Sequence, residues 1–105
     1  MSTDDITMTK RAAITRELRR LAQIVINIVE TNGFRVMGTF SRSNISRFLK
    51  CGPFNIEIYL YPHIDCPPHI WITSNTNEPD LDSLANQLRL TGFEVSVAIE
   101  MGRLR

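Results

Sequence analysis

At 105 residues the chain has the length of one domain, and 43% hydrophobic residues are enough for one ordinary core, so we expect a single domain over residues 1–105. The net charge of +1 hides an uneven distribution: residues 10–50 hold nine basic and two acidic side chains, and residues 51–105 hold three and seven. No apolar run approaches the ~18 residues of a membrane span, and the acidic start is unlike a secretory signal, which favours a soluble, cytoplasmic protein with no membrane contact.

The first predicted element is a long amphipathic helix, which begins between Asp4 and Thr9 and ends at about Thr31. Its apolar residues recur at alternating steps of four and three, so they share one side of the helix. Asn32-Gly33 ends the helix, because glycine adopts the left-handed conformation at a helix C-terminus at low cost. The apolar stripe is Ile14, Leu18, Leu21, Val25 and Ile28, and the opposite side carries Arg16, Arg19 and Arg20.

A strand is predicted next, from Phe34 to about Ser41, and it is followed by turn-forming residues at 41–44. The residues expected on one side of this strand are Phe34, Val36, Gly38 and Phe40. Residues 45–51 fit either a strand or a short helix that Asn44 caps and Gly52 ends. The number of strands therefore stays open between four and five.

After Gly52-Pro53, residues 54–61 alternate cleanly between apolar and polar, which predicts a half-buried strand. A second strand is predicted from His69 to about Ser74, and the two form a hairpin. The register that matches apolar with apolar residues places Ile58 opposite Ile72, Leu60 opposite Ile70, Tyr59 opposite Trp71 and Tyr61 opposite His69.

The last two predicted elements are a helix and a strand. Asn77 caps the helix, Pro79 occupies its first turn and Gly92 ends it. Its buried stripe is Leu81, Leu84, Ala85 and Leu88, and the strand that follows points Phe93, Val95, Val97 and Ile99 inward. The order α-β-(β)-β-β-α-β predicts an α+β two-layer sandwich, with a mostly antiparallel sheet of four or five strands and two helices on one face.

The soft metal ligands of the chain fall in one window, residues 51–69, and comprise Cys51, His63, Cys66 and His69. Eight extended residues between Cys51 and His63 span roughly 26 Å, too far for one ion to bridge or for a Cys51–Cys66 disulfide. We therefore expect no bound metal and no cofactor. A site with three ligands, His63, Cys66 and His69, completed by Asp65 or water, stays an alternative.

No catalytic motif is present in the sequence. Cys66 precedes two prolines, which offer no N–H group to an oxyanion, and the glycines are isolated, so no phosphate-binding loop exists. We expect a protein that is not an enzyme, and the sequence identifies no small-molecule substrate. A metal-dependent or thiol enzyme is the least favoured alternative.

Two surfaces are candidates for binding. The first is the open face of the sheet, where Met37 and the rings of Tyr59, Tyr61 and Trp71 should lie, because aromatic residues with Met and Arg typify contact surfaces. The second is basic and would attract an acidic partner: it comprises Arg16, Arg19, Arg20, Arg42, Arg47 and Lys50.

The sequence therefore predicts a non-enzymatic protein that docks on a protein partner or forms a homodimer. Small size without catalytic apparatus suits an inhibitor or modulator, and a phage or viral protein that acts on a host nucleic-acid-processing complex is one hypothesis. The alternative is a small nucleic-acid-binding protein that uses the basic first helix. Glu57, Glu94 and Glu100, which the sheet would direct to the aromatic side, argue against that alternative.

Overall fold

The computed structural model describes residues 3–61, 65–74 and 79–99, apart from the side chains of residues 3–10, 42, 79 and 80. Two helices and five strands lie in this part of the chain, and they confirm the expected α+β class and element order. The uncertain stretch 45–51 contributes a strand rather than a helix. The elements are α1 (Thr3–Thr31), β1 (Gly38–Ser43), β2 (Ser46–Cys51), β3 (Phe54–Tyr59), β4 (His69–Ser74), α2 (Pro79–Leu90) and β5 (Glu94–Ile99).

The strands lie in the sheet in the order in which they occur along the chain, β1-β2-β3-β4-β5. The first four are antiparallel to their neighbours, whereas β5 runs parallel to β4 because α2 carries the chain back across the sheet. Helix α1 contacts β2 and β3, and α2 contacts β5 and α1. Neither helix, over the residues described, has the length and apolar character that a membrane-spanning helix requires.

The core fills the space between the helices and one face of the sheet. Leu49, Ile56 and Ile72 pair across β2, β3 and β4, and all three are fully buried. The predicted stripe of α2 is buried throughout, and in α1 the burial begins at Leu18. Removing an apolar side chain of this size from water contributes about 1.5–3 kcal/mol, so this face accounts for most of the stability.

Both helices end in the same capping motif. At α1 the N–H of Gly33 donates to the carbonyl oxygen of Glu30 and that of Phe34 donates to Val29; at α2 the N–H groups of residues 92 and 93 repeat this pattern. Gly33 has a φ of 88°, in the left-handed region where a side chain would be strained. The Gly-Phe pair after each helix is therefore a shared stop signal, as the sequence indicates.

One predicted strand begins at the wrong residue. Residues 34–37 are not part of the strand, although the N–H of Met37 donates a 2.7 Å hydrogen bond to the carbonyl oxygen of Lys50. Phe34 packs edge-on against Phe54 at a centroid distance of 4.9 Å, beside the core. The sheet begins at Gly38, and its register pairs Phe40 with Phe48. Phe40 consequently lies on the face away from the helices, 47% exposed, rather than beside Phe34 as the alternation predicted.

The predicted hairpin register is wrong by two residues. Ile58 pairs with Ile70, Glu57 with Trp71 and Tyr59 with His69. Strand β3 ends at Tyr59, two residues earlier than predicted, and the chain to β4 is correspondingly longer. A shift of two residues keeps every side chain on its predicted face, because side chains alternate with a period of two. The proposed cap at Asn77 lies outside the described residues.

Candidate functional site

The sheet face opposite the helices carries three pairs of aromatic rings. Phe40 and Phe48 have ring centroids 4.9 Å apart, His69 stacks on Trp71 at 4.8 Å, and Tyr59 and Tyr61 are stacked at 6.1 Å. Neither described helix contacts this side, and Trp71 remains 43% exposed. We call this surface the aromatic face, defined by Phe40, Phe48, Tyr59, Tyr61, His69 and Trp71.

Strand register arranges the aromatic face in rows that cross the sheet. The middle row is Phe40, Phe48, Glu57, Trp71 and Ser96, one residue from each strand. One neighbouring row contains Tyr59, His69 and Glu94, and the other contains Lys50, Asn55 and Thr73. In the middle row, Phe40 and Phe48 therefore lie on one side of Glu57 and Trp71 on the other, and the charged groups Lys50 and Glu94 lie in the two neighbouring rows.

The sequence identified four of the six residues of the aromatic face, His69 among them. Tyr59, Tyr61 and Trp71 lie where the alternation of β3 and β4 predicted. Phe40 and Phe48 were missed, because Phe40 was placed on the side of its strand opposite Met37 and the structure of residues 45–51 was undecided. A signal for Phe48 was present: in a strand over these residues, Leu49 and Cys51 face the core, so Phe48 must face the other way.

The predicted basic residues do not form one surface. Arg16, Arg19 and Arg20 are exposed on α1, which lies on the core side of the sheet, so they are remote from the aromatic face. We call these three residues the basic helix patch. Arg20 is paired with Glu17 through bonds of 2.5 and 3.0 Å. The hydrogen bond from Arg20 lowers the pKa of Glu17, so part of the positive charge of the patch is neutralised.

The remaining basic residues separate around β2. Arg47 lies on the helix side of the sheet, where its Nε donates a 3.0 Å hydrogen bond to the Thr39 hydroxyl. Lys50 is exposed on the aromatic face, one row from the rings. The side chain of Arg42 lies outside the described residues. Of the predicted basic set, Lys50 alone among the described side chains adjoins the aromatic residues.

The structure describes three of the four potential metal ligands, Cys51, Cys66 and His69. His63 lies outside the described residues, and among those described no three His, Cys, Asp or Glu side chains lie close enough to hold an ion. Cys51 and Cys66 are both free thiols, the first buried and the second exposed. Burial raises the pKa of the Cys51 thiol to about 11. The absence of a bound metal stays a prediction.

Three polar residues on the aromatic face have the connectivity of an acid–base–nucleophile relay. The Nε2 atom of His69 lies 2.9 Å from the Ser96 hydroxyl oxygen, and its Nδ1 lies 3.7 Å from Glu94 Oε2. The second distance is too long for a hydrogen bond. The N–H of Glu94 donates to Pro68, so it is not available to an oxyanion. The contacts with Ser96 and Glu94 hold the His69 ring where it stacks on Trp71.

A shallow depression is lined by residues 35–37 and 51–53, at the end of the sheet where β2 turns into β3. Its lining includes Met37, which is 65% exposed, and the buried Cys51. Arg35 is the one charged residue among those that line it. Comparison with known proteins gave no match to this chain among family models, curated proteins or solved structures.

Proposed function

We propose that this chain is a non-enzymatic binding protein that docks on another protein surface through the aromatic face. The observation that carries the proposal is the exposure of Trp71 and Phe40 at 43% and 47% on a sheet face that neither described helix contacts. Rings of this kind are the side chains that dominate binding energy at protein interfaces. Lone exposed apolar residues are ordinary, but here rings from four neighbouring strands, β1 to β4, cluster on one face around Glu57.

The charge on the same face favours a protein over a nucleic acid. Single-stranded nucleic acids bind where stacking rings lie in a positively charged groove. Of the predicted basic residues whose side chains the structure describes, Lys50 alone lies beside the rings. Two carboxylates, Glu57 and Glu94, lie on the same face. The basic helix patch lies in the helix layer, on the other side of the sheet, so it cannot contact the phosphates of a nucleic acid whose bases stack on these rings. A protein partner can offer groups of either sign to such mixed charge while it covers the rings.

An affinity experiment with matched variants tests this proposal. The wild type, a Phe40→Ser/Trp71→Ala variant and a variant with the basic helix patch changed to glutamine are immobilised and exposed to extract from the native host cell. The expected result is one protein retained in stoichiometric amount by the wild type and the helix variant and lost with the face variant.

Two results would contradict the proposal. Retention by the face variant with loss on the helix variant would move the contact to α1. Retention that disappears after nuclease treatment of the extract would make a nucleic acid the ligand. Circular dichroism of each variant confirms that its fold is intact before the comparison is made.

A further inference from the structure

We infer that a second copy of this chain occupies the aromatic face, an inference that rests on the proposed function. The observation behind it is the diagonal placement of the charges. Lys50 lies on β2 in one outer row, and Glu94 lies on β5 in the opposite outer row, with the rings between them. Both side chains are exposed. A face with opposite charges at opposite corners is complementary to itself.

Two-fold symmetry turns this diagonal into intermolecular pairs. In a symmetric dimer each contact occurs twice, so Lys50 of each copy can lie over Glu94 of the other. The two-fold axis then lies in the plane of the contact and crosses the midpoint of the diagonal. That midpoint falls in the middle row, between Glu57 and Trp71. The two copies of Trp71 therefore meet near the axis, at the centre of the interface, where residues that dominate binding are concentrated.

The geometry agrees with known modes of sheet packing. Strands about 4.8 Å apart with a rise of about 3.3 Å per residue make the diagonal run at roughly 45° to the strands, so the two sheets cross at roughly 90°. Five strands of six residues present a nearly square face of about 24 by 20 Å, which overlaps well with its copy after such a rotation.

The size of the face limits the affinity of this dimer. Two faces of these dimensions bury on the order of 1,000 Å² in total, near the lower limit for a specific interface. We therefore expect a reversible dimer with a dissociation constant on the order of micromolar. Glu57 is the unfavourable element, because the two copies of this carboxylate approach each other at the axis.

Charge reversal tests the arrangement in the full-length protein. Lys50→Glu and Glu94→Lys should each weaken the dimer by about tenfold or more, since each places like charges opposite one another. The double variant should restore the dissociation constant to within a few-fold of wild type, although it also lacks the contact between His69 and Glu94. Arg19→Glu is the matched control on α1 and should change nothing. Glu57→Gln should tighten the dimer.

Sedimentation velocity over a concentration series separates the outcomes. A wild type that stays monomeric up to about 200 μM, far above the expected micromolar range, overturns the second copy and leaves the aromatic face to another protein. If Trp71→Ala weakens the dimer but the double charge variant does not regain the wild-type dissociation constant, the diagonal arrangement is wrong. A dimer insensitive both to Trp71→Ala and to charge reversal uses another surface; this result overturns the present inference and leaves the proposed function to the affinity experiment.

Discussion

The two neighbouring residues Trp71 and Ile72 allow binding and folding to be tested separately. They are adjacent in β4 and point to opposite faces of the sheet: Trp71 is 43% exposed, and Ile72 is fully buried among Leu18, Ile56 and other core residues. Replacing each with alanine removes a large apolar side chain from the same strand. We expect Trp71→Ala to reduce association and Ile72→Ala to reduce stability.

The exposed area of Trp71 sets the size of the first effect. A tryptophan can bury up to about 250 Å², so the 43% still exposed leaves ~110 Å² for a partner to cover. At about 25 cal/mol per Å² this area contributes 2–3 kcal/mol to association for each ring, which corresponds to binding weaker by roughly 30- to 150-fold for each ring removed. The same substitution should lower the free energy of unfolding by about 1 kcal/mol, the usual effect of a point mutation.

The control substitution should give the reverse pattern. Ile72→Ala leaves a cavity in a closely packed core and should lower the free energy of unfolding by about 2–5 kcal/mol. The molecules that remain folded should associate as the wild type does. If Ile72→Ala does not fold, Ile72→Val is the milder control, with an expected loss of about 0.5–1.5 kcal/mol.

Two measurements read these effects. Urea denaturation followed by circular dichroism gives stability, and sedimentation velocity gives association. Trp71 is also the one tryptophan of the chain, so its fluorescence reports this face alone. Dilution of the associated wild type should shift its emission to longer wavelength as the ring returns to water. Emission and iodide quenching that stay constant while the protein associates would refute this prediction, because the ring would then lie outside the contact.

Other substitutions test the helix side, the buried thiol and the hydroxyl group beside His69. With the basic helix patch changed to glutamine, the thermal midpoint should stay within a few degrees of the wild type, since exposed changes usually cost about 0.5 kcal/mol or less. The variant should lose weak polyanion binding at low salt. Polyanion binding that is the same as in the wild type at every salt concentration would mean that the patch is only a solvated surface. The pKa of Cys51 is raised from 9.0 to about 11, so the unfolded chain loses this proton first and the free energy of unfolding should fall as pH rises from 9 to 11. Urea denaturation should show a smaller fall in Cys51→Ala, and an equal fall would place the effect elsewhere. Any hydrolysis of p-nitrophenyl acetate by the purified protein should be the same in Ser96→Ala as in the wild type. Activity that this variant loses would show that the relay of Glu94, His69 and Ser96 is catalytic.

Local patterns in the sequence determined the elements and the faces within each element. The spacing of apolar residues placed Leu18, Leu21 and Val25 on the buried side of α1, because a helix repeats every 3.6 residues wherever it packs. The two Gly-Phe stops were equally readable, since a capping motif involves only a few consecutive residues. The alternation in β3 also sufficed to place Tyr59 opposite the core.

Only the tertiary structure decided which strands meet and where each begins. Phe40 faces away from the core because β1 begins at Gly38. Residues 47–50 of β2 set this starting point by pairing with residues 38–41. The same long-range pairing brought Phe48 and Trp71 into one row. A period of two fixes which residues share a face within one strand, but the contacts between strands are set by packing over the whole sheet. The aromatic face is therefore visible in the sequence as separate residues and becomes a surface only when the strands pair.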